Sequence, residues 1–81
     1  MSVVTVQLFA SYADAFGASQ LEIPLEPGST VADLVRRIHA LPSGNLLPAS
    51  PRVALNRKFA MPDKLIGSND EIALIPPVAG G

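Results

Sequence analysis

The sequence predicts an α+β fold in which one main helix crosses a single twisted, mixed sheet. Three observations predict it. An alternating β-branched run opens the chain at Val3–Phe9, an apolar stripe at helical spacing occupies 31–41, and a second apolar strand lies at 71–75. At 81 residues the chain is one domain, assigned to residues 1–75, with a short extended tail at 76–81. A domain of this size supports one core and no more.

In the first strand Val4, Val6 and Leu8 share one face and Val3, Thr5, Gln7 and Phe9 the other. The first set is the core face, because the second contains Thr5 and Gln7. Ala10–Phe16 forms a short helical segment, and Gly17 is placed to end it. Gln20–Leu25 alternates again with Leu21, Ile23 and Leu25 inward. Pro24 has no amide hydrogen to donate, so this strand belongs at a sheet edge. Glu26-Pro27-Gly28-Ser29 is a turn. Thr30 then caps a helix, with Asp33 completing a capping box. Val31, Leu34, Val35, Ile38 and Leu41 form its apolar stripe, and Arg36 and Arg37 its solvent face. Pro42 and Gly44 close it.

Three prolines and a glycine between Pro42 and Arg52 predict a loop, with Leu46 and Leu47 folding back onto the core. Val53-Ala54-Leu55 is a short strand, and Asn56-Arg57-Lys58 turns the chain. Pro62–Leu65 reads as a single helical turn. Gly67–Asp70 is a further turn in which Asn69 suits a left-handed conformation. Glu71–Ile75 is the last strand. Two strands, a crossover helix and further strands in so short a chain describe the β-grasp, or ubiquitin-like, architecture. A central first strand beside a parallel last strand suits their apolar content.

Composition excludes several functions. Apolar residues make up 48% and charged residues 16%, with a net charge of −1. That is too apolar for a disordered chain, and too nearly neutral for counterion-driven binding to nucleic acid or an anionic membrane. No cysteine is present, which removes disulfides, thiolate zinc sites and thiol catalysis. No basic leader and no apolar stretch of membrane-spanning length is visible, so a soluble cytoplasmic protein is expected. His39, the one histidine, has no cysteine or second histidine beside it, so no metal site is expected. The serines have neither a nucleophile-elbow setting nor a triad, and no phosphate loop occurs. Asp70 and Glu71 are neighbours in a strand, point to opposite sides and make a poor acid/base pair. Asp70 is turn chemistry, Glu71 a candidate partner contact, and Arg57 and Lys58 a solvated turn.

The chemistry falls to Pro76-Pro77-Val78-Ala79-Gly80-Gly81. Two prolines fix φ and donate no hydrogen bonds, so they end the sheet and favour an extended path. The residues that follow become progressively smaller, and six extended residues reach about 20 Å. Such a tail can enter a narrow active site on another protein. With Gly81 as the last residue, its carboxylate is unhindered towards attack. ATP can activate it as an acyl-adenylate, and sulfide or a persulfide can then displace AMP to leave a transferable thiocarboxylate.

Asn69–Gly81 closely resembles the C-terminus of the small subunit of molybdopterin synthase, the MoaD-type sulfur carriers. Their usual ending is a Gly-Asp-Glu turn, an apolar strand and Pro-Pro-Val-x-Gly-Gly. Val6–Ala10 with Gly17, Gly28–Val31 with Leu34, and Val53–Asn56 are similar to the family too. The resemblance implies a carrier that holds no cofactor of its own. An E1-like adenylyltransferase activates Gly81, a persulfide protein supplies sulfur, and the large synthase subunit binds the carrier in a heterotetramer. There the tail delivers sulfur to a cyclic pyranopterin monophosphate to build the dithiolene. The catalysis rests mainly with the large subunit. Asn69 stands where a glycine is usual, and Ile75 where an aromatic residue is common.

Phe9 and Ile75 fall on outward strand faces, with Phe59 following the turn. The resemblance implies that these three form an apolar partner-docking patch at the base of the tail. Alternatively, Phe59 folds into a small secondary core. The other functional classes open to this sequence are a thiamine-type sulfur carrier, a ubiquitin-like modifier joined to lysines through Gly81, and a β-grasp binding module with an inert tail.

Overall fold

The computed structural model describes residues 2–77. Its elements run β1 (Ser2–Leu8), α1 (Ala10–Phe16), β2 (Gln20–Leu25), α2 (Val31–His39), a 3₁₀ turn (Gly44–Leu46), β3 (Arg52–Leu55), β4 (Lys58–Ala60) and β5 (Ile72–Ile75). The five strands form one mixed sheet in the order β2-β1-β5-β3-β4. β1 and β5 are parallel neighbours, and every other pair is antiparallel. This is the β-grasp arrangement expected from the sequence.

Strand parity sets the core. Val4, Val6 and Leu8 are buried, as are Ile23 and Leu25 from β2, Val53 and Leu55 from β3, and Ile72 and Leu74 from β5. Val31, Leu34 and Ile38 of α2 close this layer from one side, while Arg36 and Arg37 face outward. The capping box is complete: Asp33 N–H donates to Thr30 Oγ1 at 3.2 Å and Thr30 N–H to Asp33 Oδ2 at 2.9 Å. Gly17 adopts the left-handed conformation at φ 67° that ends α1, and Ala18 N–H reaches back to the Ala13 carbonyl at 3.1 Å. β2 is an edge strand, which leaves the donor-less Pro24 opposite Val3 without breaking a ladder on its far side.

Four expectations are corrected. Leu46 is 59% exposed and only Leu47 is buried. Residues in a 3₁₀ turn project about 120° apart, so of two successive leucines one faces the core. The segment after Asn56 contains an unforeseen strand, β4, joined to β3 by a two-residue turn with Asn56 at φ 53° and Arg57 at φ 70°. Pro62–Leu65 is no helical turn. Lys64 N–H bonds to the Met61 carbonyl at 3.0 Å, and Leu65 bridges to Thr30. The Pro62 and Lys64 carbonyls accept from Ala32 and Val31 N–H, both at 2.9 Å, so the segment satisfies donors that a helix start leaves open. Asn69 is not left-handed. Asp70 N–H bonds to the Gly67 carbonyl and Asp70 Oδ2 accepts from Gly67 N–H at 2.7 Å, a closure that needs no positive φ at its centre.

Candidate functional site: the outer sheet face and the root of the tail

The inner residues of β5 belong to the core, so its other parity, Ala73 and Ile75, faces outward and both are half-buried. In register, Ala73 lies between Gln7 of β1 and Ala54 of β3, and Ala54 lies opposite Phe59 of β4. Two alanines therefore make a low floor in the middle of the outer face. Larger side chains stand around it, giving a shallow groove of about 320 Å³ lined by Phe9, Ala54, Arg57, Phe59, Glu71, Ala73 and Ile75. All three patch residues expected from the sequence are thus brought together.

Phe9 reaches the groove differently from the expectation. It lies one residue beyond β1, as the extended residue that precedes α1. There it is 50% exposed. Phe59 is 65% exposed, so it does not fold into a secondary core. An edge strand of three residues above an alanine floor has nothing to cover a phenyl ring. The Arg52 guanidinium stands over that ring, 5.4 Å from its centroid.

A second groove, of about 510 Å³, continues from the first at the end of β5, where Tyr12, Pro51, Arg52, Phe59, Ile75, Pro76 and Pro77 are among its walls. Pro76 is half-buried and Pro77 exposed. The tail thus leaves the body from the middle strand of the sheet, beside the aromatic patch. Val78, Ala79, Gly80 and Gly81 lie outside the described residues.

The turn side of the patch is held by polar contacts. Asn56 Nδ2 donates to Asp70 Oδ1 at 2.9 Å, and Asn56 Oδ1 accepts from Glu71 N–H at 2.9 Å. Asn56 N–H also donates to the Glu71 carbonyl at 2.7 Å. The Gly67 amide, and then the Asn56 amide, hold the Asp70 carboxyl below its ordinary value. Arg57 and Glu71 approach to 3.9 Å with both side chains largely in solvent, a weak pair. Tyr12 is buried, and loss of hydration raises its phenol pKa. His39 Nε2 lies 2.8 Å from the Pro48 carbonyl. Among the described residues no group of three or more His, Cys, Asp or Glu could hold a metal ion, and no helix is long and apolar enough to cross a membrane.

Sequence reasoning missed Arg52, Ala54 and Ala73. For the two alanines the signal was available, since parity puts them opposite Val53, Leu55, Ile72 and Leu74. Arg52 preceded the expected strand and carried no signal of its own.

The sequence pattern described as the ThiS family matches residues 6–81. The molybdopterin synthase sulfur carrier subunit of Dictyostelium discoideum is 35% identical over 81 residues, covering 94% of this chain and 93% of that protein. The crystal structure of Haloferax volcanii small archaeal modifier protein 1 superposes with a TM-score of 0.83 at 23% identity, over 96% of this chain and all of that one. Subunit 1 or 2 in the complex of the two subunits of the Helicobacter pylori molybdopterin-converting factor gives a TM-score of 0.71 at 20% identity, over 98% of this chain and 99% of that chain. These two structural likenesses bear on the fold.

Proposed function

The chain belongs to the ThiS family, and from that we propose that it is the sulfur carrier subunit of molybdopterin synthase, with the Gly81 carboxylate as its reactive group. The observation that carries the reading is the route of the chain at Ile75–Pro77. The middle strand of the sheet runs directly into two prolines, beside an exposed aromatic patch. A rigid body thereby presents a slender segment and a docking surface on the same side. The 35% identity to a carrier subunit over nearly the full length supports the same reading.

In the proposed cycle the Gly81 carboxylate attacks the α-phosphorus of ATP on an E1-like adenylyltransferase, and pyrophosphate leaves. The terminal sulfur of a persulfide donor protein then displaces AMP to form an acyl disulfide, and a second thiol cleaves its S–S bond, forming a disulfide with the donor and releasing the thiocarboxylate. The carrier docks on the large synthase subunit through Phe9, Phe59 and Ile75. Pro76 and Pro77 direct Val78, Ala79 and Gly80 into its active site, and sulfur passes to cyclic pyranopterin monophosphate. Two such transfers complete one dithiolene. The protein groups that bind the pterin belong to the large subunit, and this chain contributes position and a nucleophilic sulfur.

Incubation with an E1-like enzyme, ATP and a sulfur source, followed by intact-mass measurement, tests the first half. The expected product has one terminal oxygen replaced by sulfur. An unchanged mass with enzymes active on another carrier refutes the reading. Adding the large subunit and the pyranopterin precursor tests the second half by dithiolene formation. Covalent attachment to lysines of other proteins, in place of sulfur transfer, would instead make the chain a modifier.

A further inference from the structure

We propose that Arg52 is a specificity-determining residue of the docking surface, and that the large subunit meets it with a carboxylate at the point where the tail enters. The inference rests on the docking face proposed above and names the chemistry of the surface that covers it.

Arg52 is placed by the sheet. It is the first residue of β3, in register with Ile75, the last residue of β5. Its outward parity sets it on the same face as Ala54, the register partner of Phe59. The guanidinium lies 5.4 Å from the Phe59 ring centroid, which holds the cation beside the apolar patch while the residue stays exposed. It also lines the groove that contains Pro76 and Pro77. Among the described residues its side chain has no carboxylate within ion-pair distance; the two pairs found are Arg36–Asp33 and Arg57–Glu71.

That placement constrains any protein that covers the patch. A partner burying Phe59, Ile75 and the foot of the tail removes water from Arg52 as well. A cation buried without an anion is strongly unfavourable, and arginine does not escape by losing its proton. The covering surface must therefore bring a carboxylate, for which the planar fork of the guanidinium is well matched. Arg57 is a poorer candidate for this role, because it stands at the hairpin tip, largely in solvent and already beside Glu71. A surface that is apolar but lacks the carboxylate is rejected, which separates the true partner from others that fit the aromatic patch alone.

The test measures association of the full-length chain with the large subunit at low and high salt. Three variants are compared with the unaltered chain: Arg52→Met, Arg52→Glu and Phe59→Ala. The expected result is a loss of at least about tenfold in affinity for Arg52→Met and more for Arg52→Glu, since like charges then face each other. The salt dependence of the unaltered chain should flatten in Arg52→Met. Circular dichroism and melting temperature should stay as in the parent, because Arg52 is exposed. Unchanged affinity and salt dependence in Arg52→Met, with Phe59→Ala weakened, overturns the proposal and leaves the docking face standing. Failure of the unaltered chain to associate, or indifference to both Phe59→Ala and Arg52→Met, overturns the docking face itself.

Discussion

Arg57 occupies a backbone position that favours glycine. Its φ of 70° follows φ 53° at Asn56, the two left-handed residues of a tight hairpin turn, where Asn-Gly is the preferred pair. A side chain there costs about 1 kcal/mol. Arg57→Gly should therefore stabilise the chain by up to about 1 kcal/mol, read as a higher denaturant midpoint with unchanged slope. The absence of that glycine is also why the hairpin was not legible in the sequence. Asp70 and Asp33 carry the second prediction at this scale. Backbone amides lower both carboxyl pKa values below the ordinary 3.8, Asp70 through Gly67 first and Asp33 through Thr30 first. A group whose pKa is lower in the folded than in the unfolded state gives stability above the unfolded value, and that stability is lost as pH falls through the folded one. The melting temperature should therefore drop as pH falls below about 4, where unfolded carboxylates take up protons. Asp70→Asn and Asp33→Asn should each flatten that drop, and a profile identical to the parent's counts against these contacts.

At the level of elements, α2 is the part of the fold most fully legible. Thr30, Asp33 and the Val31–Leu34–Ile38 stripe are local signals, and each does what its spacing predicts. Its closure depends on a less visible contact. A Cβ on Gly44 would collide with the backbone carbonyls of Ile38 and His39, so the chain folds back against the end of α2 only because residue 44 has none. Gly44→Ala should cost about 1–3 kcal/mol, measured by equilibrium unfolding, with the outer sheet face left as it is. The elements that were misread depend on partners distant in sequence. β4 has only Lys58, Phe59 and Ala60, too short for an alternation, and is a strand because β3 lies beside it. The Pro62–Leu65 segment has helix-like composition, yet its carbonyls serve the start of α2. Neither fact is written in a window of a few residues.

Across the whole molecule, the division between a closed core and an outer face follows from strand parity, and the outward placement of Ile75 was legible in the sequence for that reason. Phe9, Phe59 and Ile75 do converge, around a floor of Ala54 and Ala73. Their convergence requires the order β1-β5-β3-β4, which no single strand reveals. The same division separates stability from the proposed chemistry. Deleting Gly81 should abolish sulfur transfer while leaving the melting temperature unchanged, because among the described residues the core lies entirely before Pro76. A truncated chain that still supports dithiolene formation would contradict the assignment. The position of β5 has a mechanical consequence too. It is hydrogen-bonded to β1 on one side and β3 on the other. A pull applied through Pro76 runs along β5 and loads both ladders in shear, so the bonds must yield together and not one by one. A partner that grips the tail can tug on it, and the body follows as a rigid handle before it unravels.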